Sequence, residues 1–93
     1  MTDFFWFERM PKTWQELDDL SNRLEECRFS GILLPYGPGS DDHFTKISRV
    51  LKSERKLKYM VAVRPYTVSP QFLSSICKTI HRICPDRLII NFV

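Results

Sequence analysis

Gly31-Ile32-Leu33-Leu34-Pro35 is the stretch on which the fold turns. Its apolar residues are consecutive rather than alternating, so both faces of the segment need cover, as in a strand of a parallel sheet. Lys58-Tyr59-Met60-Val61-Ala62-Val63 repeats that character downstream, and Arg87-Leu88-Ile89-Ile90-Asn91-Phe92-Val93 repeats it again at the end of the sequence. Upstream, Phe4-Phe5-Trp6-Phe7 is a short aromatic run that also suits a strand.

Helical patterns separate these four runs. Met10-Pro11-Lys12 breaks the first, and Thr13-x-x-Glu16 then forms a capping box. The Thr hydroxyl takes an orphan helix amide while the Glu reaches back to the cap. Trp14, Leu17, Leu20, Leu24 and Cys27 follow at three- and four-residue steps and predict one apolar face, opposite Asp18, Asp19, Asn22, Arg23 and Glu26. After the loop Tyr36-Gly37-Pro38-Gly39-Ser40, a second helix is expected to start near Ser40-Asp41-Asp42, with Phe44, Ile47, Val50 and Leu51 inward. Ser69-Pro70 reads as an N-cap followed by proline at the first helical position. Phe72, Leu73, Ile76, Ile80 and Ile83 line this third helix, which Pro85-Asp86 ends.

The order is β-α-β-α-β-α-β, an α/β unit whose strands pair in parallel through right-handed crossovers. An open doubly wound sheet and part of a β/α barrel both fit. In either, ligands bind at the carboxyl ends of the strands. Those ends hold Glu8-Arg9-Met10, Pro35 to Asp42 and Arg64 to Ser69, and the fourth is expected just past Val93.

Length and composition narrow the reading. At 93 residues, 43% hydrophobic and 27% charged, the chain suits a single domain spanning 1–93. A closed eight-fold barrel takes about 250 residues, so only part of one fits. Abundant aromatics and a net charge of +3 argue against disorder. The apolar stretches fall well short of the roughly 20 residues of a spanning helix, so no membrane partner is expected. There is no basic leader, and the three cysteines are an odd number without a CxxC pair, which suits a reducing, cytoplasmic setting.

Several constellations have a sharp and a plain reading. Cys77, His81 and Cys84 stand at spacings of four and three on one helix and can converge on a metal. Small buried thiols beside a partly exposed histidine are the simpler account, and no metal site is assigned. Lys46, Arg49, Lys52, Arg55, Lys56 and Lys58 form a basic run. Without interleaved aromatics it reads as a solvated helix face rather than a nucleic-acid surface. The glycines of Pro35 to Ser40 lack the spacing and lysine of a phosphate loop. His43 is a candidate base beside that loop. Arg64, directly after a buried strand, is a candidate partner for an anionic ligand.

Phe5-Trp6-Phe7, Gly31 to Pro35, and Leu57-Lys58-Tyr59-Met60-Val61-Ala62-Val63-Arg64-Pro65 resemble the bacterial luciferase-like flavin monooxygenases. Ser69-Pro70, Thr79-Ile80-His81-Arg82 and Arg87 to Val93 continue the likeness in order, nearest to the alkanesulfonate monooxygenase branch. The resemblance implies the N-terminal half of a TIM-type (β/α)8 barrel that uses reduced FMN, supplied by a separate flavin reductase, and O2 to oxygenate a small organic substrate. It places Pro35, Tyr36, Arg64 and Asn91 at strand ends lining the flavin and substrate pocket, with Tyr36 and Tyr66 as aromatic walls. Ser40 stands where the sulfonate branch has a cysteine, and Pro85-Asp86 precedes Arg87 where the family has a glycine. The family's catalytic His and Arg belong to the later barrel half, so no catalytic residue is assigned. The alternative is a non-catalytic half-barrel module that self-associates or pairs with a partner chain, because its outer strands leave hydrogen-bonding edges open.

Overall fold

In the computed structural model, which describes residues 3–9, 13–37 and 41–93, four parallel strands form one sheet in chain order. The strands are β1 (Phe5–Phe7), β2 (Gly31–Leu34), β3 (Lys58–Val63) and β4 (Leu88–Phe92). Between them run α1 (Trp14–Glu26), α2 (His43–Val50) and α3 (Pro70–Ile83), with a 3-10 turn at Pro65–Thr67. The chain is therefore α/β with the expected β-α-β-α-β-α-β order. A flavodoxin-like arrangement is excluded, because β1 lies at the sheet edge rather than inside it.

Local chemistry sets the helix boundaries. The Thr13 hydroxyl accepts from Glu16 N at 3.1 Å and the Glu16 carboxylate accepts from Thr13 N at 3.1 Å, completing the capping box. Asp42 caps α2 by accepting from Phe44 N, and Ser69 caps α3 with Pro70 behind it. At the far end of α1, Arg28 adopts a left-handed φ of 63° while Phe29 N donates to Leu24 O at 2.9 Å. This closes the helix at a position where glycine is usual. The expected breaker 10–12 and loop residues 38–40, Ser40 among them, lie outside the described residues.

Each crossover moves to the next strand with the same hand, so the helices share one face of the sheet, α2 touching both α1 and α3. The core forms there. Leu17, Leu20 and Leu24 from α1 and Ile47 and Val50 from α2 pack on Ile32, Leu34, Tyr59, Val61 and Val63. Within it Ser21 and Tyr59 are both fully buried and joined by a 2.8 Å hydrogen bond. The other sheet face carries the alternate positions Phe5, Phe7, Leu33, Met60 and Ile89, and no helix among the described residues covers it. Gly31 sits on that face for a steric reason: a Cβ there would lie 2.5 Å from Lys58 O and 2.5 Å from the Phe5 ring.

Some expected inward positions are not inward. Phe72 and Ile83 are exposed, while Leu73 and Ile80 are buried. With α2 on one side and a sheet edge on the other, α3 buries a narrower stripe than its apolar pattern suggests. Cys27 is exposed because it is the C-cap rather than a member of the helical face. No helix of the described residues is long and apolar enough to cross a membrane.

Candidate functional site at the strand carboxyl ends

The sequential parallel sheet brings the loops after β2 and β3 side by side. Pro35 and Tyr36 follow β2 directly, and Arg64 follows β3. Because Leu34 pairs with Val61, these two exits are adjacent, and the Arg64 guanidinium lies over the Tyr36 ring, 5.0 Å from its centroid. Two of the four sequence-expected cofactor residues are thus joined by a cation–π contact. Arg64 is exposed and makes no ion pair among the described residues. Its loop is fixed by the 3-10 turn, where Thr67 N and the Thr67 hydroxyl both donate to Arg64 O, at 3.0 and 2.7 Å.

The other two expected residues sit differently. The Pro35 carbonyl accepts from His43 Nε2 at 2.9 Å, which requires that nitrogen to carry the proton. His43 therefore straps the β2 exit to the start of α2. Asn91 is half-buried in β4 opposite Ala62. It alternates with Leu88 and Ile90, which pack on the helix-side core, so Asn91 belongs to the uncovered sheet face. Tyr66, expected as a second aromatic wall, is 80% exposed. Arg9 beyond β1 leans on the Phe7 ring, 5.7 Å from its centroid.

A cleft of about 440 Å³ opens beneath the loops between α2 and α3, lined by Tyr36, His43, Phe44, Val63, Val68 and Phe72 among others. Val63 belongs to the helix-side core, so this cleft lies behind the sheet, away from the face carrying Asn91. Tyr36 touches it, and Arg64 and Asn91 are not among its lining residues.

Four of the six residues of the basic run are engaged within the chain. Lys46 pairs with Asp41 at 2.7 Å, and its hydrogen bond and charge hold the Asp41 carboxyl below the usual range. Arg49 stacks on Trp14 at 4.0 Å. Lys52 and Arg55 both reach Asp18, at 3.2 and 2.9 Å. Burial pushes the Asp18 carboxyl up, but hydrogen bonds and charge from Arg55 and Lys52 outweigh it and leave the group lowered. Arg55 is buried and also donates to Asn22 Oδ1 at 2.9 Å and to Val50 O. Arg87 is buried likewise, donating to Leu57 O and to Lys52 O. Both arginines clamp the segment between α2 and β3, at the end of the sheet away from the candidate site. Sequence reasoning gave Arg55 no such role. Its only hint is the Asp18, Asn22 pair one turn apart on α1.

On α3, Cys84 is buried at the C-cap and burial raises the Cys77 thiol. The exposed His81 accepts from Asp86 N at 3.2 Å through Nδ1. No family model matches this chain.

Proposed function

We propose that this chain is the N-terminal half of a TIM-type β/α barrel of the luciferase-like flavin monooxygenase kind, and that its strand-end loops form one wall of a pocket for reduced FMN and a small organic substrate. The observation that carries the reading is the sequential order β1-β2-β3-β4, all parallel, with the Tyr36–Arg64 pair at two adjacent carboxyl ends. Ligands bind at that end of such sheets. The side chains suit part of a flavin nucleotide: Arg64 offers an exposed cation for an anionic group, Tyr36 a flat ring, and Asn91 an amide that can donate and accept. Pro35 holds the loop through His43. The chemistry the group supplies when bound is oxygen activation, with electrons delivered by a separate reductase. The chain's own residues position and orient, and none is assigned a proton-transfer or nucleophilic role.

The test is an anaerobic titration of the chain with reduced FMN, followed by flavin fluorescence. The expected result is weak, saturable binding, reduced several-fold in Arg64→Gln, with no substrate oxidation on admitting air. Absence of saturable binding, or binding that Arg64→Gln and Tyr36→Ala leave unchanged, refutes the reading.

A further inference from the structure

We infer that two copies of this chain close a single eight-stranded barrel, with β4 of each pairing in parallel to β1 of the other. The inference rests on the half-barrel part of the reading above and not on its flavin part.

The backbone bonds show which groups are left over at each edge. On β1, Ser30 N donates to Phe4 O at 2.7 Å and Glu8 N to Leu33 O at 3.2 Å, so even-numbered residues face β2. Phe5 and Phe7 therefore aim their N–H and C=O groups at the open edge. On β4, Tyr59 N donates to Arg87 O at 2.7 Å and Val93 N to Val63 O at 3.0 Å, so odd-numbered residues face β3. Leu88, Ile90 and Phe92 are left at the other open edge. Among the described residues both edges thus carry unpaired ladder groups, a strong drive to further pairing.

A two-fold axis along the barrel keeps strand direction, so β4 meets β1 of the second copy in parallel, and four strands from each chain give eight. Eight-stranded β/α barrels close with a shear of about 8, which is about four residues of stagger per half. Within one chain the register runs from Phe5 to Gly31 to Lys58, and Tyr59 opposite Leu88 extends it to Arg87. Four residues of stagger in the direction that overlaps the strands sets Phe92 opposite Trp6 of the second copy. The opposite direction would put β1 against Ile83 in α3. The first register satisfies both independent conditions. Phe92 and Trp6 lie on the same, helix-side face, and Phe92 N–H and C=O fall between Phe5 O and Phe7 N–H, as a parallel ladder requires.

Part of the exposed apolar surface lies at these same edges. Phe4, Trp6, Phe7 and Phe92 are 62%, 42%, 47% and 59% exposed. At about 150–250 Å² per aromatic side chain they leave roughly 400 Å² per chain uncovered, about half of what each partner buries in a stable interface. The sheet face with the half-buried Leu33, Met60 and Ile89 becomes the barrel interior. The second copy also completes the mouth, because its Glu8 and Arg9 come to lie beside the β4 end that carries Asn91.

Light scattering after gel filtration tests this. The chain is expected to run at about twice 11.1 kDa. Phe92→Pro removes one edge donor without touching the β3–β4 ladder, and is expected to run as a folded monomer. With Cys27 and Cys77 replaced by Ser, a mixture of Trp6→Cys chains and Phe92→Cys chains is expected to form a disulfide-linked dimer on oxidation, and neither chain alone does so. A parent mass of 11.1 kDa at high concentration, a dimer that Phe92→Pro leaves intact, or cross-linking within one variant alone overturns the inference. The cross-linking arm stands even where Phe92→Pro fails to fold. None of these readouts depends on flavin, so a failed titration and a failed closure are told apart.

Discussion

Ser21→Ala is expected to destabilise the fold more than Tyr59→Phe, although each removes a single hydroxyl. Ser21 Oγ donates to Leu17 O at 2.7 Å, which uses its one proton. The Tyr59 hydroxyl, 2.8 Å away, must then be the donor in the second bond. Both residues are 0% exposed, so water cannot replace either partner. Ser21→Ala strands a buried phenol donor, which costs about 1–3 kcal/mol, whereas Tyr59→Phe loses a hydrogen bond and strands only a spare lone pair, about 0.5–1.5 kcal/mol. The double variant holds no stranded donor and is expected to lie near Tyr59→Phe alone, giving a coupling of about 1–3 kcal/mol. Urea unfolding followed by tryptophan fluorescence reads all four proteins, and an unchanged slope keeps the comparison on stability. Losses that simply add, to within about 0.5 kcal/mol, would refute the donor assignment.

Gly31→Ala is expected to cost about 1–3 kcal/mol, read as a lower urea midpoint, because its Cβ would collide with Lys58 O and the Phe5 ring. Arg28→Gly is expected to raise the melting temperature by a few degrees, since glycine relieves a left-handed residue at a cost of about 1 kcal/mol. The lowered Asp18 carboxyl gives a sign for pH. Its contribution is fully present above the unfolded-chain value near 3.8 and is lost as pH falls through the lower folded value. Acid titration of stability should therefore show a drop below that point that Asp18→Asn flattens, and an equal drop in both proteins would refute the role. Arg49→Ala should cost about 0.5–1 kcal/mol through the Trp14 contact, and a double cycle with Trp14→Leu checks that the two losses are shared.

Much of the architecture is legible locally. Thr13 with Glu16, and Ser69 with Pro70, announce helix starts because a cap is chemistry between residues three apart. Ile32 to Leu34 and Val61 to Val63 announce buried parallel strands because their apolar residues are consecutive. The failures are equally physical. Phe72 and Ile83 carry the right spacing for an inner face, but spacing does not say how wide a stripe the neighbours leave to cover. Arg55 and Arg87 look like surface charge because nothing in a one-dimensional pattern shows the carbonyls of Val50, Leu57 and Lys52 turned inward to receive them. In the candidate site, Tyr36 and Arg64 are each legible as strand-end residues, but their contact depends on β2 and β3 being neighbours.

By itself, then, the sequence determines the elements, their order and their caps, because these depend on interactions within a few residues. Tertiary structure alone decides that β1 stands at an edge, that all three helices share one face, and that the half-buried Phe5, Leu33, Met60 and Ile89 lie on the opposite face. Those facts depend on which strands pair across the chain and on the hand of each crossover. They make of four ordinary parallel strands one sheet in chain order, with the helices gathered on a single face.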